Sequence, residues 1–492
     1  MDELPNILDE TYERTLLNID NEKRKYARRL FRCLAVSTRP LRVEELADIL
    51  AVKFHPAAPP IFNADWRPTD PKDAVLSACS TLIAIVDVDG CQVVQFAHFS
   101  VKEFLTSDRL STSEERLSYY HIRRVTAHTV LARACVSLLL QLDDKIDKYT
   151  ISRLPLAPYA AQHWVDHARF EDVSSRIEHA MERLFDSAQP QFAIWIWLYD
   201  IDHDWVDPMS GMNPTQPQAS PLYYASLCGL HRLVQHLAIA HPSDIHRRGG
   251  YHITPLHAAS VKGHVEVARV LLSHGADPNS QNDERFTPLH WASRRGHLAI
   301  VDSLLEHDAH VDPLTKIGRS PLSMASNEGR LEVARFLLNH GANVSSQDHG
   351  GCTPLHRASQ YGEADVVQLL LDRGSNMELR NHNSCTPLHL SAQGGHFDVV
   401  QVLLQHGAIV DAIDNDYQTP LHKSSRAGYL DVVRLLLKHG ADLNAQDKDD
   451  KTPWDHAERN QRHDVSQFLS DHSTTSSQPN EDRDSLHTAS KN

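Results

Sequence analysis

Apolar and polar positions repeat with a period of 33 residues through the C-terminal half of the chain. Each period begins with a hydroxyl residue and a proline, and later carries apolar residues at helical spacing, as in Val432, Val433 and Leu436. This period predicts one pair of helices per unit, and the units must stack because none can bury its apolar face alone. The hydroxyl residues that mark the units are Thr254, Thr287, Ser320, Thr353, Thr386, Thr419 and Thr452.

Local signals place the ends of the first helix in each unit. The Thr or Ser side chain caps the helix, and the Pro that follows suits the first helical position, where its missing N–H costs nothing. A Gly nine residues after the hydroxyl residue, such as Gly263 or Gly428, suits the left-handed residue that ends the helix. The outer helix then ends at pairs such as Gly440-Ala441.

The ends and irregularities of the array are also visible in the pattern. We expect eight units over residues 220–472. The first begins at Ser220, 34 residues before the next marker, and the last has Gln461 in place of the usual Gly. Asp308 replaces a turn Gly and Ser323 replaces the repeated His. These two departures predict local loosening of the third and fourth units.

The first 115 residues follow a different pattern. Asp89-Gly90 separates two short segments with the period of a strand, which is a hairpin signal. Three helices followed by this hairpin predict a winged-helix-like module. The predicted helices cover 7–18, 21–36 and 41–52, and the predicted strands lie around 82–86 and 93–96.

The charge of the chain argues against nucleic-acid binding. The formal net charge is −15, and the third predicted helix carries Glu44, Glu45 and Asp48 instead of a basic face. No direct contact with nucleic acid is therefore expected, even though winged helices often bind DNA.

Composition and length limit the classes of protein to which the chain can belong. A chain of 492 residues with 41% hydrophobic residues is long enough for two or more globular domains. Seven cysteines without a Cys-x-x-Cys pair fit reduced thiols better than a disulfide framework. No apolar run approaches the length of a membrane span, and the acidic start MDELPN is not a signal peptide. We expect a cytoplasmic protein, with the nucleus as the alternative.

The repeated phrases resemble the ankyrin repeat. They are TPLHAAS, TPLHWAS, SPLSMAS, TPLHRAS, TPLHLSA and TPLHKSS, starting at residues 254, 287, 320, 353, 386 and 419. This resemblance implies a mainly helical fold, in which an ankyrin-repeat α-solenoid follows a helical and winged-helix-like region with one β-hairpin. It also implies a concave groove that binds proteins.

The N-terminal half shows a second resemblance. LPNILDETYERTLLNID, RPLRVEELADILAV and VVQFAHFSVKEFL resemble the segment that follows the NACHT domain in fungal signal-transducing NTPases of the NOD-like receptor type. HARFEDVSSRIEHAMERLFD and the stretch around Trp195, Trp197 and Tyr199 resemble the helical spacer before their ankyrin arrays. The expected organisation is a winged-helix-like module at 1–115, a helical spacer at 116–205, a linker at 206–219, ankyrin repeats at 220–472 and a disordered tail at 473–492.

The nucleotide site of those NTPases has no counterpart in this sequence. Their P-loop needs a Gly-rich turn that ends in Lys-Ser/Thr, and no such motif occurs here. His98 in HFSVKEF matches a His that faces the ADP phosphate in that family. Without a nucleotide domain we expect His98 to be a half-buried structural residue, and a role at a nucleotide would need a domain supplied in trans. No cofactor is expected.

Catalytic and metal sites are not expected either. No Gly-x-Ser-x-Gly or His-Glu-x-x-His motif occurs. The ankyrin resemblance implies that the repeated His hydrogen-bonds the neighbouring turns, and its 33-residue spacing does not gather ligands around one ion. These structural histidines are His257, His290, His356, His389 and His422.

The ankyrin resemblance also implies which side chains face the groove: the turn residues before each Thr and the two residues before the helix-ending Gly. Aromatic, apolar and arginine side chains dominate the N-terminal part, as at interface hot spots, whereas the C-terminal part is polar. We predict that an acidic, partly apolar protein segment binds between repeats two and four, beside an exposed Phe286; the alternative is that these side chains only solvate the groove. The predicted partner-binding residues are Tyr251, Ile253, Lys262, Glu284, Phe286, Arg294, Arg295, Lys316, Ile317, Arg319 and Tyr361. Further groove positions are Glu328, His349, Gln360, His382, Asn383, Gln393, Asn415, Asp416, Gln418, Arg426, Lys448, Asp449 and Lys451.

Three functions fit the sequence. The first is a non-catalytic adaptor that binds one partner in the groove and a second through the N-terminal modules. The second is a regulatory component or fragment of a NACHT-type signalling NTPase. The third is a nuclear transcription coregulator, for example of a pathway gene cluster. The oligomeric state is left open.

Overall fold

The computed structural model describes residues 3–54, 60–202, 214 and 217–475. The chain forms two compact units, Met1–Ala276 and Asp277–Asn492. Most of the linker predicted at 206–219 and of the tail predicted at 473–492 lies outside the described residues. The last helix continues to Thr475, beyond the predicted end of the repeats at 472.

The part of the first unit that precedes the repeats contains helices and five short strands. The helices are α1 (Glu3–Leu17), α2 (Arg24–Val36), α3 (Val43–Leu50), α4 (Pro71–Cys79), α5 (Phe99–Thr106), α6 (Asp108–Thr112), α7 (Glu115–Ser118), α8 (Arg124–Leu139), α9 (Lys148–Ile151), α10 (Leu156–Ala168), α11 (Val173–Arg176), α12 (Glu178–Leu184) and α13 (Pro190–Leu198). The strands are β1 (Leu41–Arg42), β2 (Val52–Lys53), β3 (Ile61–Phe62), β4 (Ile83–Val88) and β5 (Cys91–Phe96).

The predicted hairpin is present and belongs to a three-stranded sheet. β4 and β5 pair antiparallel, with Ile85 opposite Val94. Between them Asp89 and Gly90 have φ values of 52° and 78°, the left-handed backbone that a two-residue hairpin turn requires. β1 adds to the other edge of β5, with Leu41 opposite Val94, and leads directly into α3. The sequence did not predict β1 because two residues carry no periodicity.

Helix α3, the third predicted helix, which carries Glu44, Glu45 and Asp48, is buried on nearly all sides. Glu44 is its only exposed residue. Glu45 is fully buried and forms ion pairs with two arginines. Asp48 is also fully buried, where it pairs with Arg67 and accepts a hydrogen bond from the backbone N–H of Leu156 at 3.1 Å. A helix covered in this way cannot enter a DNA groove, so its burial, and not its charge, distinguishes it from a recognition helix.

Helices α8, α10 and α13 form the core of the helical spacer. Trp195 donates a hydrogen bond from Nε1 to the carbonyl oxygen of Ala161 at 3.0 Å. His128 and His167 lie side by side with their Nδ1 atoms 3.0 Å apart. Burial lowers the pKa of His167 to about 3, so both rings stay neutral and one Nδ1–H donates to the other.

Eight helix pairs follow within the described residues, which we number repeats 1 to 8. Repeats 1 and 2 belong to the first unit and repeats 3 to 8 to the second. The pairs are α14 (Pro221–Leu227) with α15 (His231–Ala240), α16 (Pro255–Lys262) with α17 (Val265–Ser273), α18 (Pro288–Arg295) with α19 (Leu298–Glu306), α20 (Pro321–Asn327) with α21 (Leu331–Asn339), α22 (Pro354–Tyr361) with α23 (Ala364–Asp372), α24 (Pro387–Gly394) with α25 (Phe397–Gln405), α26 (Pro420–Ala427) with α27 (Leu430–Lys438), and α28 (Pro453–Arg459) with α29 (His463–Thr475).

The predicted caps are present in the repeats. In repeat 7, Thr419 accepts a hydrogen bond from the backbone N–H of His422, Pro420 occupies the first helical position, and Gly428 ends the helix with φ 93°. Asp308 and Gln461, which replace turn glycines, keep the same left-handed backbone with φ 63° and 58°. The turn geometry therefore survives both replacements.

Repeat 4 departs from the others at one side chain. Ser323 keeps the capping contact, since its N–H donates to Ser320 Oγ at 3.2 Å. Its own hydroxyl is buried and has no hydrogen-bond partner among the described residues. The irregularity predicted for repeats 3 and 4 is therefore a missing hydrogen bond rather than a distorted turn.

Candidate functional site

The row of turns between repeats is the candidate site. We call the five residues before each starting Thr or Ser the tip of that repeat; in repeats 3 to 8 the tips are 282–286, 315–319, 348–352, 381–385, 414–418 and 447–451. Adjacent tips are joined by backbone hydrogen bonds. The N–H of Lys316 donates to the carbonyl oxygen of Glu284 at 3.0 Å, and the N–H of His349 donates to that of Ile317 at 2.9 Å. The same bond recurs from His382 to Gly350, from Asn415 to Asn383 and from Lys448 to Asp416.

The first residue of each tip shapes the turn. Asn282 Oδ1 accepts hydrogen bonds from the backbone N–H groups of Glu284 and Phe286 at 3.0 and 2.8 Å. In repeat 4 the hydroxyl of Thr315 takes this role and accepts from the N–H of Arg319 at 3.0 Å. Because each turn is tied down by its own side chain and by its neighbours, the tips form a rigid row.

Three tips hold a buried acid–base pair that the sequence analysis missed. Where the first tip residue is Asp, the residue nine positions later in the inner helix is basic; where it is Asn or Thr, that residue is apolar. The pairs are Asp348 with Arg357, Asp414 with Lys423 and Asp447 with His456, and the apolar residues are Trp291, Met324 and Leu390. One carboxylate oxygen of each Asp accepts hydrogen bonds from N–H groups of the turn, and the other binds the base. In these tips a buried carboxylate is thus found only together with a base that compensates its charge.

These pairs also explain the ionisation of the acids. Burial opposes ionisation of Asp447, but the hydrogen bond from His456 and the turn N–H groups lower its pKa to about 2. The pKa values of Asp348 and Asp414 are likewise lowered against the effect of burial by their basic partners. The signal was present in the sequence as an Asp and a base nine residues apart.

The repeated histidines connect neighbouring repeats. His356 Nδ1 accepts a hydrogen bond from the N–H of Thr353 at 3.2 Å, and Nε2 donates to the carbonyl oxygen of Cys385 at 3.1 Å. His290, His389 and His422 make equivalent contacts to the next tip. Burial lowers the pKa of His356 and of His389 to about 4, so each ring is neutral with its proton on Nε2.

The predicted partner-binding residues of the second unit lie in the tips and at the ends of the inner helices. Glu284, Phe286, Lys316, Ile317 and Arg319 are tip residues, and Arg294, Arg295 and Tyr361 end inner helices. Ile317 is 48% exposed and Tyr361 is 51% exposed. Two large apolar side chains therefore face solvent in this region.

Phe286 is not the exposed anchor that the sequence analysis described. It is half-buried, with its ring centroid 5.0 Å from that of Trp291 and 5.6 Å from that of His290. The expected exposure was wrong because the sequence does not show that the tip places Phe286 against Trp291, five residues later in the inner helix. Phe286 thus contributes to packing of its tip.

Most charged residues of the predicted set are already paired. Arg294 Nε lies 3.2 Å from Glu328, and Lys316 Nζ lies 3.5 Å from Glu284. The Lys316–Glu284 pair is exposed and contributes little to stability, whereas Arg294 and Glu328 are half-buried. Arg295 is exposed and has no ion pair within the described part of the chain.

The C-terminal tips are less polar than predicted. Tyr417 is 55% exposed and adopts φ 57°, a left-handed backbone that is uncommon for a bulky residue. Trp454, in the inner helix of repeat 8, is also exposed. Tyr417 was not among the predicted residues, because its tip position is usually occupied by small or polar residues, such as Gly318, Gly351 and Ser384.

Three predicted residues, Tyr251, Ile253 and Lys262, belong to the first unit. Tyr251 is exposed, and Ile253 has φ 80°, a strained backbone for a β-branched residue. Lys262 lines a cavity of about 260 Å³ that also includes Arg169 and Asp166. Of the predicted partner-binding residues, three therefore belong to the first unit and eight to the second.

His98 is exposed, which corrects the half-buried position expected for it. It caps α5, and its Nδ1 lies 2.6 Å from Ser100 Oγ, which lies 2.7 Å from the hydroxyl of Tyr12. The imidazole thus organises the start of a helix.

The residues that the structure describes contain no group of three or more His, Cys, Asp or Glu side chains arranged to hold a metal ion. In the same residues, no helix combines the length and apolar character needed to cross a membrane.

Comparison with known proteins agrees with this architecture. The family model for ankyrin repeats in three copies matches residues 222–316, 310–381 and 373–447. The model for the winged helix domain of GPI inositol-deacylase matches residues 12–116. Azaphilone pigments biosynthesis cluster protein L of Monascus ruber is 33% identical over 284 residues, which span 54% of this chain and 59% of that relative.

Both resemblances inferred from the sequence are thereby confirmed. The chain combines a winged helix domain of the GPI inositol-deacylase type, the post-NACHT kind of module, with a C-terminal series of ankyrin repeats.

Proposed function

We propose that the chain is a non-catalytic scaffold that binds a partner protein along the tips of repeats 3 to 8. The rigid row of hydrogen-bonded tips is the observation that supports this most directly. Neighbouring tips hydrogen-bond its backbone, and the exposed side chains include Ile317 in a tip and Tyr361 at the end of an inner helix. A rigid surface that needs little ordering on binding is suited to recognition, because less conformational entropy is lost.

A matched set of variants tests this surface. The double variant Ile317→Asp with Tyr361→Asp is expected to abolish binding of a partner protein that has been identified by crosslinking to the wild-type chain. Its stability should not fall, because both side chains are about half exposed. Arg335→Glu, on the outer helix α21 and 46% exposed, is the control that should bind normally. Equal binding by both variants would exclude the tips as the site. Phe286→Ala is unsuitable, because it removes packing against Trp291.

The N-terminal part is proposed to contact a second protein, which makes the chain an adaptor. Phe99 is 69% exposed and Val88 is 48% exposed on the winged helix domain. The proposed organisation keeps the domain limits 1–115, 116–205, 206–219, 220–472 and 473–492. The proposed compartment is the cytoplasm, with the nucleus as the alternative; imaging of the tagged chain distinguishes the two.

A second candidate function is favoured by the winged helix domain. Domains of this type accompany NACHT modules, so the chain is proposed, alternatively, as a regulatory component or fragment of a NACHT-type NTPase. His98 would then approach a nucleotide held by a separate NACHT chain. The purified chain should bind neither ATP nor ADP by calorimetry in either case. Nucleotide binding that appears only after a NACHT chain is added would favour this candidate.

A third candidate follows from the relative of Monascus ruber, whose name assigns it to an azaphilone pigment biosynthesis cluster. The chain is then proposed as a nuclear coregulator of a biosynthetic gene cluster, which acts through the same tips. Deletion of the gene should change transcript levels of neighbouring biosynthetic genes. Unchanged transcripts would exclude this candidate and leave the adaptor function untouched.

A further inference from the structure

Two guanidinium groups share one buried carboxylate between the tips of repeats 4 and 5. Asp348 is 3% exposed at its side chain, and its Oδ1 accepts hydrogen bonds from the N–H groups of Gly350 and Cys352 at 2.9 and 3.0 Å. Its Oδ2 is bound by Arg357, whose Nε lies 3.1 Å away. Arg319 approaches the same Oδ2 only to 3.8 Å, which is beyond hydrogen-bond distance.

The other two buried tip aspartates have no second cation. Asp414 pairs with Lys423 at 2.5 Å, and the residue that occupies the Arg319 position relative to it is Cys385, 4.0 Å away. Asp447 pairs with His456 at 2.7 Å, and the corresponding residue is Gln418, 3.4 Å away. Each of these neighbours lies 29 residues before its Asp, as Arg319 does before Asp348. Of the three buried tip aspartates, Asp348 is the one that has a second positive charge beside it, that of Arg319.

The guanidinium of Arg319 lacks hydrogen-bond acceptors. Its Nε is buried without a partner, and the side chain makes no hydrogen bond in the described part of the chain, although a guanidinium offers five N–H donors. The side chain is 28% exposed, so part of the group reaches solvent. Burial and, after it, repulsion by Arg357 lower the pKa of Arg319. The charge is thus incompletely compensated.

The surroundings of Arg319 determine what can satisfy it. The carboxylate of Glu328, at the far end of the inner helix of the same repeat, is engaged by Arg294 at 3.2 Å. Ile317 in the same tip and Tyr361, at the end of the inner helix of repeat 5, are each about half exposed. A planar carboxylate matches the guanidinium fork, and apolar groups beside it would cover the two exposed side chains.

We propose that Arg319, supported by Arg357, binds an Asp or Glu side chain of the partner, while flanking apolar residues of that segment pack on Ile317 and Tyr361. This inference rests on the proposed function of the tips as a protein-binding surface. Arg319 is the specificity-determining residue, and Asp348 positions Arg357 beside it.

The test uses peptides, because the partner is not identified. A library of displayed twelve-residue peptides without free C-terminal carboxylates is selected on the full chain, and dissociation constants are measured by fluorescence anisotropy. One acidic position is expected to be enriched next to apolar residues. Changing that acid to its amide should weaken binding of the peptide to the wild-type chain about 10- to 100-fold. The same change should weaken binding to the Arg319→Gln variant less than about 3-fold. A difference of this size is typical of two charges in close contact.

Four controls accompany this measurement. Arg335→Gln on the outer helix should leave binding unchanged, and Arg319→Lys should keep part of the preference for acid. Arg319→Gln should not lower the urea midpoint, because no hydrogen bond is lost; if it does, Arg319→Met, which also removes the charge, replaces it in the comparison of acid and amide peptides. Adding back a free C-terminal carboxylate to the amide peptide should not restore affinity.

Two results would contradict the inference in different ways. In the first, the selected peptides bind Tyr361→Ala more weakly than the wild type, but changing the acid to its amide weakens binding equally to the wild type and to Arg319→Gln. This result would overturn the role of Arg319 and leave the tips as a binding surface. Peptides selected on the chain that bind Ile317→Asp with Tyr361→Asp at full strength would overturn the proposed function as well.

Discussion

The imidazole Nε2 of His389 lies 3.0 Å from the carbonyl oxygen of Gln418, a residue 29 positions later in the next tip. The Nδ1 atom of the same ring accepts a hydrogen bond from the N–H of Thr386 at 3.2 Å. One side chain therefore satisfies a backbone donor of its own repeat and an acceptor of the following one. The repeats are joined by polar contacts as well as by apolar packing.

Replacement of His389 should weaken the array. His389→Ala leaves the N–H of Thr386 and the carbonyl of Gln418 without their imidazole partner, which should lower the free energy of unfolding by about 2–3 kcal/mol. Urea denaturation followed by circular dichroism measures this. His439→Ala, on an exposed ring at the end of outer helix α27 that contacts the carbonyl of Leu435 in its own helix, is the control; equal losses for both would argue against the connecting role.

Repeat 4 offers the opposite experiment. Ser323 occupies the position of the repeated His and has a buried hydroxyl without a partner in the described region. Ser323→His should add a hydrogen bond to the carbonyl of Cys352, 29 residues on, and raise the free energy of unfolding by about 1 kcal/mol. Ser323→Ala removes only the hydroxyl and serves as the control. A lower urea midpoint for Ser323→His would mean that the site cannot accommodate the ring.

Acid should destabilise the array before its carboxylates are titrated. His356 and His389 have pKa values of about 4 in the folded chain, against about 6.5 when unfolded. Because the folded pKa is lowered, the unfolded chain binds more protons below pH 6.5. The stabilising contribution is therefore complete above that pH and is lost as the pH falls towards 4. Urea midpoints at pH 7.5, 6 and 5 should decrease in that order, and less steeply for His389→Ala.

The two partners of a buried acid–base pair should be replaceable by uncharged residues only when both are replaced together. Asp414→Asn or Lys423→Leu alone leaves one buried charge unpaired and should cost about 3 kcal/mol. The double variant should recover to within about 1 kcal/mol of the wild type, because the neighbouring repeat 6 naturally combines Asn381 with Leu390. A double-mutant cycle by urea denaturation measures the coupling. Simple additivity of the two losses would contradict the pairing rule.

Much of this architecture could be predicted because its signals are local and repeated. The starting Thr or Ser, the Pro after it and the later Gly each act through their own backbone, so they mark the inner helices wherever they occur. The hairpin was predictable for the same reason, since Asp89 and Gly90 favour the required turn by themselves. Strand β1 was missed because only its pairing with β5 makes it a strand.

The candidate site was predictable only in outline. The outward-facing positions follow from the ankyrin resemblance, which is why Ile317 in its tip and Tyr361 at the end of its inner helix were expected at the surface. Contacts between repeats do not follow from it: Arg294 pairs with Glu328, 34 residues later in the next repeat. Phe286 packs on Trp291 within its own repeat, but this contact depends on how the tip is placed against the helix.

The sequence by itself determined the class of fold and the order of its elements, because capping, turn chemistry and hydrophobic period act over a few residues. Tertiary structure alone decided how charges outside these local patterns are compensated. Burial makes an unpaired charge costly, so Asp48 needs Arg67, 19 residues away, which only the packed fold brings near. The same packing leaves Arg319 next to Arg357 with one carboxylate between them.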